Sequence, residues 1–528
     1  MANRLDAVEL EVVRHALQGV AEEMGVALRR ASYSPNIKER ADCSAAVFDP
    51  DGQMVAQAEH IPVHLGSMPG SVEAVLEAFG DLRPGMQVAV NDPYAGGTHL
   101  PDLTIVAAVG DDDGRLLGYV ANRAHHADVG GCAPGSMPAH AVEIAMEGLR
   151  IPPTLVVDGD GPREDVLGLI AANSRTPRER RGDLRAQFAA NHVGARRLRE
   201  LADRLGGERL WDAMAEVCDY SDRRVRAAVR EIPDGTYRFS DVLEVGEGVT
   251  ITAAVTVADD HVVVDFDGTD EQVPVNLNAV YAVTVSSAWF VFRMLTDPDA
   301  PPNSGCYRAC EVRAPEGTVV HARPPAPVAA GNVETSQRIV DVLLGALAQA
   351  LPERVPAASQ GTMNNVLIGD SSGSQPFSYY ETLAGGEGGT PDRAGMSGVH
   401  TGMTNTQNTP AEAMELDYPL RVWRAELRHD SRGRGRHPGG EGLVREIEVL
   451  TDVTLTLQTE RRSHRPWGLA GGGDAAPGRN VLVHADGTEE ELGSKGTWPL
   501  LAGDRVRVET PGGGGWGQPD GDEAPGAS

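Results

Sequence analysis

The sequence predicts an α+β protein built of several domains, and three observations lead to this prediction. Apolar residues recur every three or four positions in residues 6–30 and 178–230, which is typical of amphipathic helices. From residue 233 the pattern changes to alternating β-branched segments, and the last hundred residues combine strand-like runs with glycine turns. The length of 528 residues allows roughly three or four domains with cores of their own.

The N-terminal elements are predicted in order. Residues 6–30 form an amphipathic helix that stops before a Ser-Pro dipeptide, because the residue before proline avoids helical backbone. The segment IKERADCSAAVFDPDGQMVAQ has apolar runs on both sides of a DPDG turn and is predicted to be a hairpin, with Asp42 just before its first strand. A short helix is then expected to run to Phe79 with Ser71 as its cap.

Later elements follow the same periodicities. A β-meander is predicted from Pro233, and helical spacing returns at residues 283–295 and 339–351. Thr335 or Ser336 is expected to cap the second of these helices.

Changes in composition give the predicted domain boundaries. Residues 1–232 are predicted to form an α+β domain, residues 233–360 a middle region with a β-meander and helices, and residues 361–518 a glycine-rich loop system with a β-rich C-terminal domain. The alternative interpretation of the polar stretch that starts at residue 361 is a disordered linker. Residues 519–528 are predicted to be a disordered acidic tail.

The charge balance excludes some classes of ligand. With 76 acidic and 47 basic residues the net charge is -29, which would repel nucleic acid and anionic membranes. No apolar run reaches the ~18 residues of a membrane span, and the N-terminus lacks the apolar core of a signal peptide. Five cysteines without CxxC pairs indicate a reducing compartment, so we expect a cytoplasmic protein.

A dense set of polar residues lies in two glycine-containing loops, each beside a strand-like segment: His99, Asp102, His125, His126 and Asp128. Strand pairing would bring both loops to the same edge of a sheet. Two histidines and one carboxylate form a ligand set that leaves coordination positions open, as divalent zinc, manganese or iron sites require. The alternative is a cluster of histidines that simply hydrogen-bond within the loops.

The site belongs to the predicted N-terminal domain, which we therefore expect to bind a metal. Of the two adjacent histidines, His125 is favoured as the ligand. His126 is expected either to lie behind the ligands or to take part in catalysis by a hydrogen bond to substrate. Asp128 is expected to orient a ligating imidazole. Asp42 and His64 are candidates to enter the same pocket.

Further polar residues lie outside these two loops. Asn405 and Thr406 belong to a polar run that could form a binding wall or satisfy its own backbone. Glu143 and Glu147 lie four positions apart on a predicted helical turn and could direct their carboxylates at the site, but a solvated surface position is favoured. The sequence has no GxxxxGK[ST] phosphate loop, no GxGxxG after a strand and no GxSxG motif.

Several long motifs resemble the hydantoinase B and oxoprolinase family and occur in the family's order over nearly the whole chain. They are NDPYAGGTHLPDLTIV, NRAHHADVGGCAPGSMP, ERADCSAAVFDPDG, AQAEHIPVHLGSM, GNVETSQRIVD, YYETLAGGEGG, MTNTQNTPAE and ETPGGGGWGQPD. The resemblance implies the B-type subunit of an ATP-dependent hydrolase of cyclic amides. A larger A-type partner of a hetero-oligomer would bind ATP and phosphorylate the substrate, and this chain would carry a divalent metal that activates water.

By the same resemblance, His99, Asp102 and His125 would be the metal ligands, and Asp42 would be the general base or position the water. The family often reads HTHMTNT where this sequence has HTGMTNT, so Gly402 replaces a histidine and the substrate pocket is expected to differ. Relatives that act as subunits of ATP-dependent ketone carboxylases give the alternative function. A non-catalytic scaffold with a structural metal is the alternative from another class.

Overall fold

The computed structural model of the chain describes residues 5–59, 61–80, 82–370 and 376–519. The predicted disordered tail lies outside the described residues from position 520 onward. In the described residues, helices combine with four separate β-sheets, which confirms the predicted α+β class. No helix in this part of the chain is both long and apolar enough to cross a lipid bilayer.

Ten α-helices lie in the described part of the chain. In chain order they are α1 Ala7–Ala31, α2 Pro35–Lys38, α3 Ser67–Ala78, α4 Glu164–Ala172, α5 Pro177–Leu205, α6 Gly207–Val229, α7 Tyr281–Leu295, α8 Ser304–Tyr307, α9 Ser336–Leu347 and α10 Ala411–Asp417. Helix α1 begins with a capping box, in which the Asp6 carboxylate accepts the backbone N–H of Glu9 and the Glu9 carboxylate accepts the backbone N–H of Asp6.

Twenty strands form the four sheets. In chain order they are β1 Cys43–Phe48, β2 Met54–Glu59, β3 Gln87–Val90, β4 Asp102–Gly110, β5 Leu116–His125, β6 Thr154–Asp158, β7 Gly161–Pro162, β8 Gly235–Leu243, β9 Val249–Ala258, β10 His261–Asp265, β11 Cys310–Arg313, β12 Asn365–Asp370, β13 Phe377–Thr382, β14 Leu420–Arg428, β15 Gly442–Val449, β16 Val453–Gln458, β17 Arg479–Val483, β18 Glu489–Leu492, β19 Lys495–Leu500 and β20 Arg505–Glu509. The sheet orders are β2-β1-β5-β4-β3-β6-β7, β11-β10-β9-β8, β13-β12-β16-β19 and β14-β15-β20-β17-β18.

The first sheet is buried on both faces, which explains the nearly continuous apolar runs of its strands. Side chains alternate between the two faces along a strand. In β1, Ala45 and Val47 pack against helices α1 and α5, whereas Ala46 and Phe48 pack into a core that also contains residues of α3, α7, α9 and the second sheet. The predicted hairpin is β1 and β2, which pair antiparallel.

The remaining sheets follow the β-rich pattern of the sequence. The predicted meander is β8, β9 and β10, and β11 adds to it in parallel. The third and fourth sheets share a core in which Ile368 and Leu455 meet Ile447 and Val506. The domain boundaries predicted at residues 232, 360 and 518 stay predictions.

Three local predictions were wrong. Helix α3 begins at Ser67 rather than Ser71, and the Ser71 hydroxyl donates to the carbonyl oxygen of Gly96 instead of capping a helix. Neither Thr335 nor Ser336 caps α9, because a π-helical turn leads into that helix and both hydroxyls donate to carbonyl oxygens elsewhere. Strands β12 and β13 lie in the stretch predicted as loops, since the short strand FSYYET is hidden by glycine-rich neighbours.

Candidate metal centre

Three of the predicted ligand residues meet at one end of the first sheet. Asp102 is the first residue of β4 and His125 the last of β5, and the antiparallel register makes them direct partners. His99 lies in the turn just before β4. The Nε2 of His99, the Oδ1 of Asp102 and the Nδ1 of His125 are each 3.2 Å from the other two, and all three side chains are buried.

The turn that carries His99 packs tightly against helix α3. Gly96 has φ of +76°, and a Cβ there would lie 2.2 Å from the backbone of Gly70, so the close approach requires glycine. The Nδ1 of His99 is 3.3 Å from the carbonyl oxygen of Ala329. A carbonyl can only accept, so Nδ1 carries the proton and Nε2 keeps a lone pair for a cation.

The second carboxylate oxygen of Asp102 has partners of its own. The Thr98 hydroxyl donates to Oδ2 at 2.5 Å, and the Nε2 of His64 lies 3.6 Å from the same atom. The Ser44 hydroxyl contacts the other ring nitrogen of His64 at 2.9 Å, so this candidate lies beside the cluster. Burial opposes ionisation of Asp102, but the surrounding imidazoles outweigh it and hold its pKa well below the usual value.

The imidazole of His125 is enclosed by aromatic and cationic groups. It stacks on the ring of Tyr380, with centroids 4.8 Å apart and planes 18° apart, and the Arg40 guanidinium lies 4.8 Å from the centre of that tyrosine ring. Burial lowers the pKa of His125 more than Asp102 and Asp42 raise it, so the ring is held in the neutral form that binds metals.

His126 and Asp128 point to other partners. The Nε2 of His126 is 2.9 Å from Oε1 of Gln187 on α5, and burial, followed by the charge of Arg180, lowers the pKa of His126 to about 3. The expectation that Asp128 orients an imidazole was wrong, because its carboxylate accepts from Arg175 at 3.0 Å and from nearby backbone N–H groups. Between the two adjacent histidines, the geometry selects His125.

Asp42 lies next to the cluster through the pairing of β1 and β5. Its backbone carbonyl accepts the N–H of His125 at 3.1 Å, and its side chain is only 6% exposed. Burial lowers the pKa of His125 and raises the pKa of Tyr380, and the negative charge of Asp42 acts on both rings in the direction of a higher pKa.

The two predicted substrate residues are placed differently. Thr406 is buried, with its hydroxyl 2.6 Å from that of Thr382 and 3.4 Å from Nη2 of Arg40, whereas the adjacent Asn405 is exposed. Arg40 also donates to the backbone carbonyl of Tyr380 at 2.7 Å. Thr406 is therefore linked to the metal-centre residues through a chain of polar and stacking contacts.

Sequence reasoning missed several residues around the site. Arg40 lies in the motif ERADCSAA and Tyr380 in the motif YYETLAGGEGG. Their position in these family motifs was the feature of the sequence that could have identified them as site residues. The surface position favoured for Glu143 is confirmed, because this residue is exposed. The surface position favoured for Glu147 was wrong, because its side chain is completely buried. Glu334, in the motif GNVETSQR, is another fully buried carboxyl group.

The donor set fits a divalent cation. Two imidazoles and a carboxylate are ligands found at zinc, manganese and iron sites, and three protein ligands leave coordination positions open. Two donors that each lie about 2.1 Å from a tetrahedral zinc ion are separated by roughly 3.4 Å, close to the 3.2 Å measured between these donors. The three residues therefore form a candidate metal-binding triad.

Comparison with known proteins places this site in a family. Residues 6–519 match the family model described as Hydantoinase B/oxoprolinase. The chain belongs to this family. The match covers all four sheets and includes every residue of the triad.

Three relatives illustrate the range of the family. An uncharacterized protein of Methanocaldococcus jannaschii is 42% identical over 98% of this chain and 91% of its own. 5-oxoprolinase 1 of Arabidopsis thaliana is 39% identical over 98% of this chain, which spans only 42% of that longer protein. A protein of Pseudomonas sp. (strain NS671), named as the B-type subunit of a D-/L-hydantoinase, is 31% identical, with 98% and 90% of the two chains covered.

Two solved structures share the fold. The ATP-dependent caprolactamase from Pseudomonas jessenii is 31% identical with a TM-score of 0.91, and 98% of this chain and 92% of that chain are covered. Acetone carboxylase in its nucleotide-free structure has a TM-score of 0.90 over 97% of this chain and 75% of its own, but the sequences are only 20% identical. The second likeness shows the fold alone.

Proposed function

We propose that the chain is the B-type subunit of an ATP-dependent cyclic amide hydrolase of the hydantoinase, oxoprolinase or lactamase type. The observation that carries the proposal is the convergence of His99, Asp102 and His125 in a family whose named relatives include an oxoprolinase, a hydantoinase component and a lactamase. The lactamase is ATP-dependent and matches nearly the whole chain.

The triad would hold the divalent cation, and zinc, manganese and iron all suit its donors. Such an ion, when bound, supplies positive charge that lowers the pKa of water toward neutrality. The protein supplies position: Ala329 fixes the proton of His99 on Nδ1, and Thr98 and His64 engage Oδ2 of Asp102 so that Oδ1 is directed at the ion.

Asp42 is the proposed general base. It lies beside the triad, because its backbone carbonyl accepts the N–H of His125 and its side chain is buried there, so we propose that it faces the attacking water molecule. Its carboxylate would accept a proton as that water attacks the amide carbon. His126 is a poor proton donor at neutral pH because its pKa is about 3, so we assign it no direct proton transfer.

We place the substrate pocket beside Asn405 and Thr406. Gly402 lies in the same segment with φ of +64°, and a Cβ there would be 2.1 Å from Oε1 of Gln337. The Gln337 amide therefore fills space that a larger residue at position 402 would need. We propose that the presence of glycine instead of histidine at position 402 helps to determine which cyclic substrate the enzyme accepts.

ATP is assigned to an A-type partner in a hetero-oligomer. The absence of a GxxxxGK[ST] motif from the sequence supports this division, as does the greater length of the related 5-oxoprolinase. In that division the partner would phosphorylate the substrate oxygen, and this chain would direct water at the activated carbon. Five free cysteines fit a cytoplasmic enzyme.

The test is reconstitution with the copurifying A-type subunit, followed by a screen of lactams, hydantoins and 5-oxoproline with ATP. We expect ring opening only with both subunits and ATP. Asp42→Asn should keep the metal and lower kcat by about 100- to 10,000-fold, the usual contribution of a general base. The matched control is Asp51→Asn, because Asp51 is an exposed residue of the same hairpin.

Three outcomes would contradict the proposal. Ring opening by the isolated chain without ATP would remove the division of labour. Full activity in Asp42→Asn would remove Asp42 from the mechanism. Consumption of ketones with bicarbonate and ATP, without lactam or hydantoin hydrolysis, would indicate the carboxylase alternative.

A further inference from the structure

Glu147 is a buried carboxyl group on the loop between β5 and β6. Its Oε1 accepts the backbone N–H groups of Val328 and Ala329, both at 2.9 Å. The side chain is completely buried, and Oε2 has no hydrogen-bond partner among the described residues. Burial raises the pKa of Glu147 to about 8 despite the two backbone hydrogen bonds. Burial of a carboxyl group costs free energy, so Glu147 must have a role inside the fold and does not serve solubility.

The segment that Glu147 holds, residues 326–329, is the one that contacts the triad. The carbonyl oxygen of Ala329 faces Nδ1 of His99 at 3.3 Å. The other end of the segment is tied to the His99 loop, because the Tyr94 hydroxyl donates to the carbonyl of Ala326 at 2.6 Å. Asn278 and Asn276 add to these contacts, because the Asn278 amide donates to the carbonyl of Pro327 at 3.0 Å and the N–H of Ala330 donates to the carbonyl of Asn276 at 2.8 Å. Glu147 is the side chain among these anchors that carries a carboxyl group.

We propose that Glu147 is a positioning residue for the metal ligand His99. By accepting the N–H groups of Val328 and Ala329, it holds the two peptide groups that lead up to the Ala329 carbonyl. That carbonyl then accepts the Nδ1 proton of His99. The ring is then held in one orientation and one tautomer, with the Nε2 lone pair directed at Asp102 and His125. The inference rests on the proposed metal-binding role of the triad.

The experiment titrates the full-length apo-protein with Zn²⁺ and Co²⁺. In Glu147→Leu, two buried N–H groups lose their acceptor, and we expect the metal dissociation constant to rise about 10- to 100-fold, as for other partners of ligating histidines. The visible spectrum of the Co²⁺ protein should also change, because it reports ligand geometry. Glu147→Gln keeps an oxygen acceptor of the same reach, so affinity and spectrum should be rescued.

The matched control is Glu143→Gln, since Glu143 is exposed and lies four residues earlier on the same loop. It should change neither affinity nor spectrum. A purely structural role for Glu147 would lower the melting temperature of Glu147→Leu without moving the Co²⁺ spectrum. If Glu147→Leu does not fold, Glu147→Asp decides, because its carboxylate is one methylene too short to keep both hydrogen bonds.

Parent affinity and parent spectrum in folded Glu147→Leu or Glu147→Asp would overturn this inference while the proposed function stands. Failure of the parent protein to bind either metal stoichiometrically would overturn the metal centre, and this inference with it. Weaker binding in Glu147→Leu that Glu147→Gln does not rescue would also contradict the proposal, because the hydrogen-bond acceptor would not be the cause.

Discussion

The metal-centre triad and a second buried polar group differ in how their charges are balanced. In the triad two ring nitrogens converge with one carboxylate oxygen, and the ion pairs of Asp102 within the described residues involve only histidines. The second group, here called the ion-pair cluster, joins the second sheet, helix α9 and the end of the third sheet. It consists of Asp241, Arg338, Asp341, Glu460, Arg461 and Lys495.

The ion-pair cluster is neutral without any outside ion, since three acids face three bases. Arg338 lies 2.9 Å from Asp241 and 3.2 Å from Glu460, and Arg461 is 2.7 Å from Asp241 and also pairs with Asp341. Burial alone would raise the pKa of Asp241, but the two guanidinium groups outweigh it and lower the pKa to about 2. Such a cluster connects parts of the fold.

The comparison teaches how to separate structural from functional polar groups in a buried region. A cluster whose positive and negative charges balance needs no outside ion and serves packing. A cluster in which imidazole nitrogens converge with a carboxylate oxygen can take up a cation from outside, and of these two clusters the triad is the one with that property. A change to one cluster should therefore leave the other intact.

The largest expected effect is the loss of the metal in His99→Ala. Removing one of three ligands should lower affinity by more than about 100-fold, because changes outside the ligand set already cost up to that much. Elemental analysis after dialysis measures it. The control is His126→Asn, since that adjacent ring contacts Gln187 instead of the triad. Stoichiometric metal in His99→Ala would show that the ion binds elsewhere.

The next effect concerns stability. Arg461→Met leaves Asp241 and Asp341 with an unbalanced buried charge, which should cost about 3–5 kcal/mol in the free energy of unfolding. Denaturant unfolding checks this value, with Arg465→Met as control because Arg465 is exposed. Metal content should be unchanged. A loss of metal in folded Arg461→Met would mean that the two clusters are coupled.

The sequence predicts those parts of the molecule that depend on local pattern. The helix α1, the β1–β2 hairpin and the meander follow from periodicity and turn residues. The ligand residues are predictable because His99, Asp102 and His125 combine ligand-type side chains with loops at strand ends. Antiparallel pairing of β4 with β5 then brings them together.

The rest depends on contacts between distant parts of the chain. Arg40 reaches Thr406 across 366 positions, and no local pattern indicates that contact. The contacts of Glu147 with Val328 and Ala329 span about 180 positions, so they are visible only in three dimensions. For the same reason the sequence predicts Ser71 as a cap, although its hydroxyl connects two separate elements.

The smallest effect tests a residue that lies between the clusters. The Oε1 of Glu334 accepts from Asn365 at 2.8 Å, and Asn365 accepts the hydroxyl of Tyr380, which stacks on His125. Burial raises the pKa of Glu334 from 4.5 to about 8, and the charge of Glu460 adds to the shift.

Between these two pKa values the folded protein keeps a proton that the unfolded chain has lost, so stability falls as pH rises, by up to about 1.4 kcal/mol per pH unit. The free energy of unfolding, measured across this pH range, should fall less steeply with pH in Glu334→Gln than in the parent protein. Some pH dependence should remain, because the pKa of Glu147 is also about 8. Glu353→Gln is the exposed control. An unchanged slope would show that Glu334 is ionised in the fold, in which case its charge belongs to the ion-pair cluster and the neutrality of that cluster would fail.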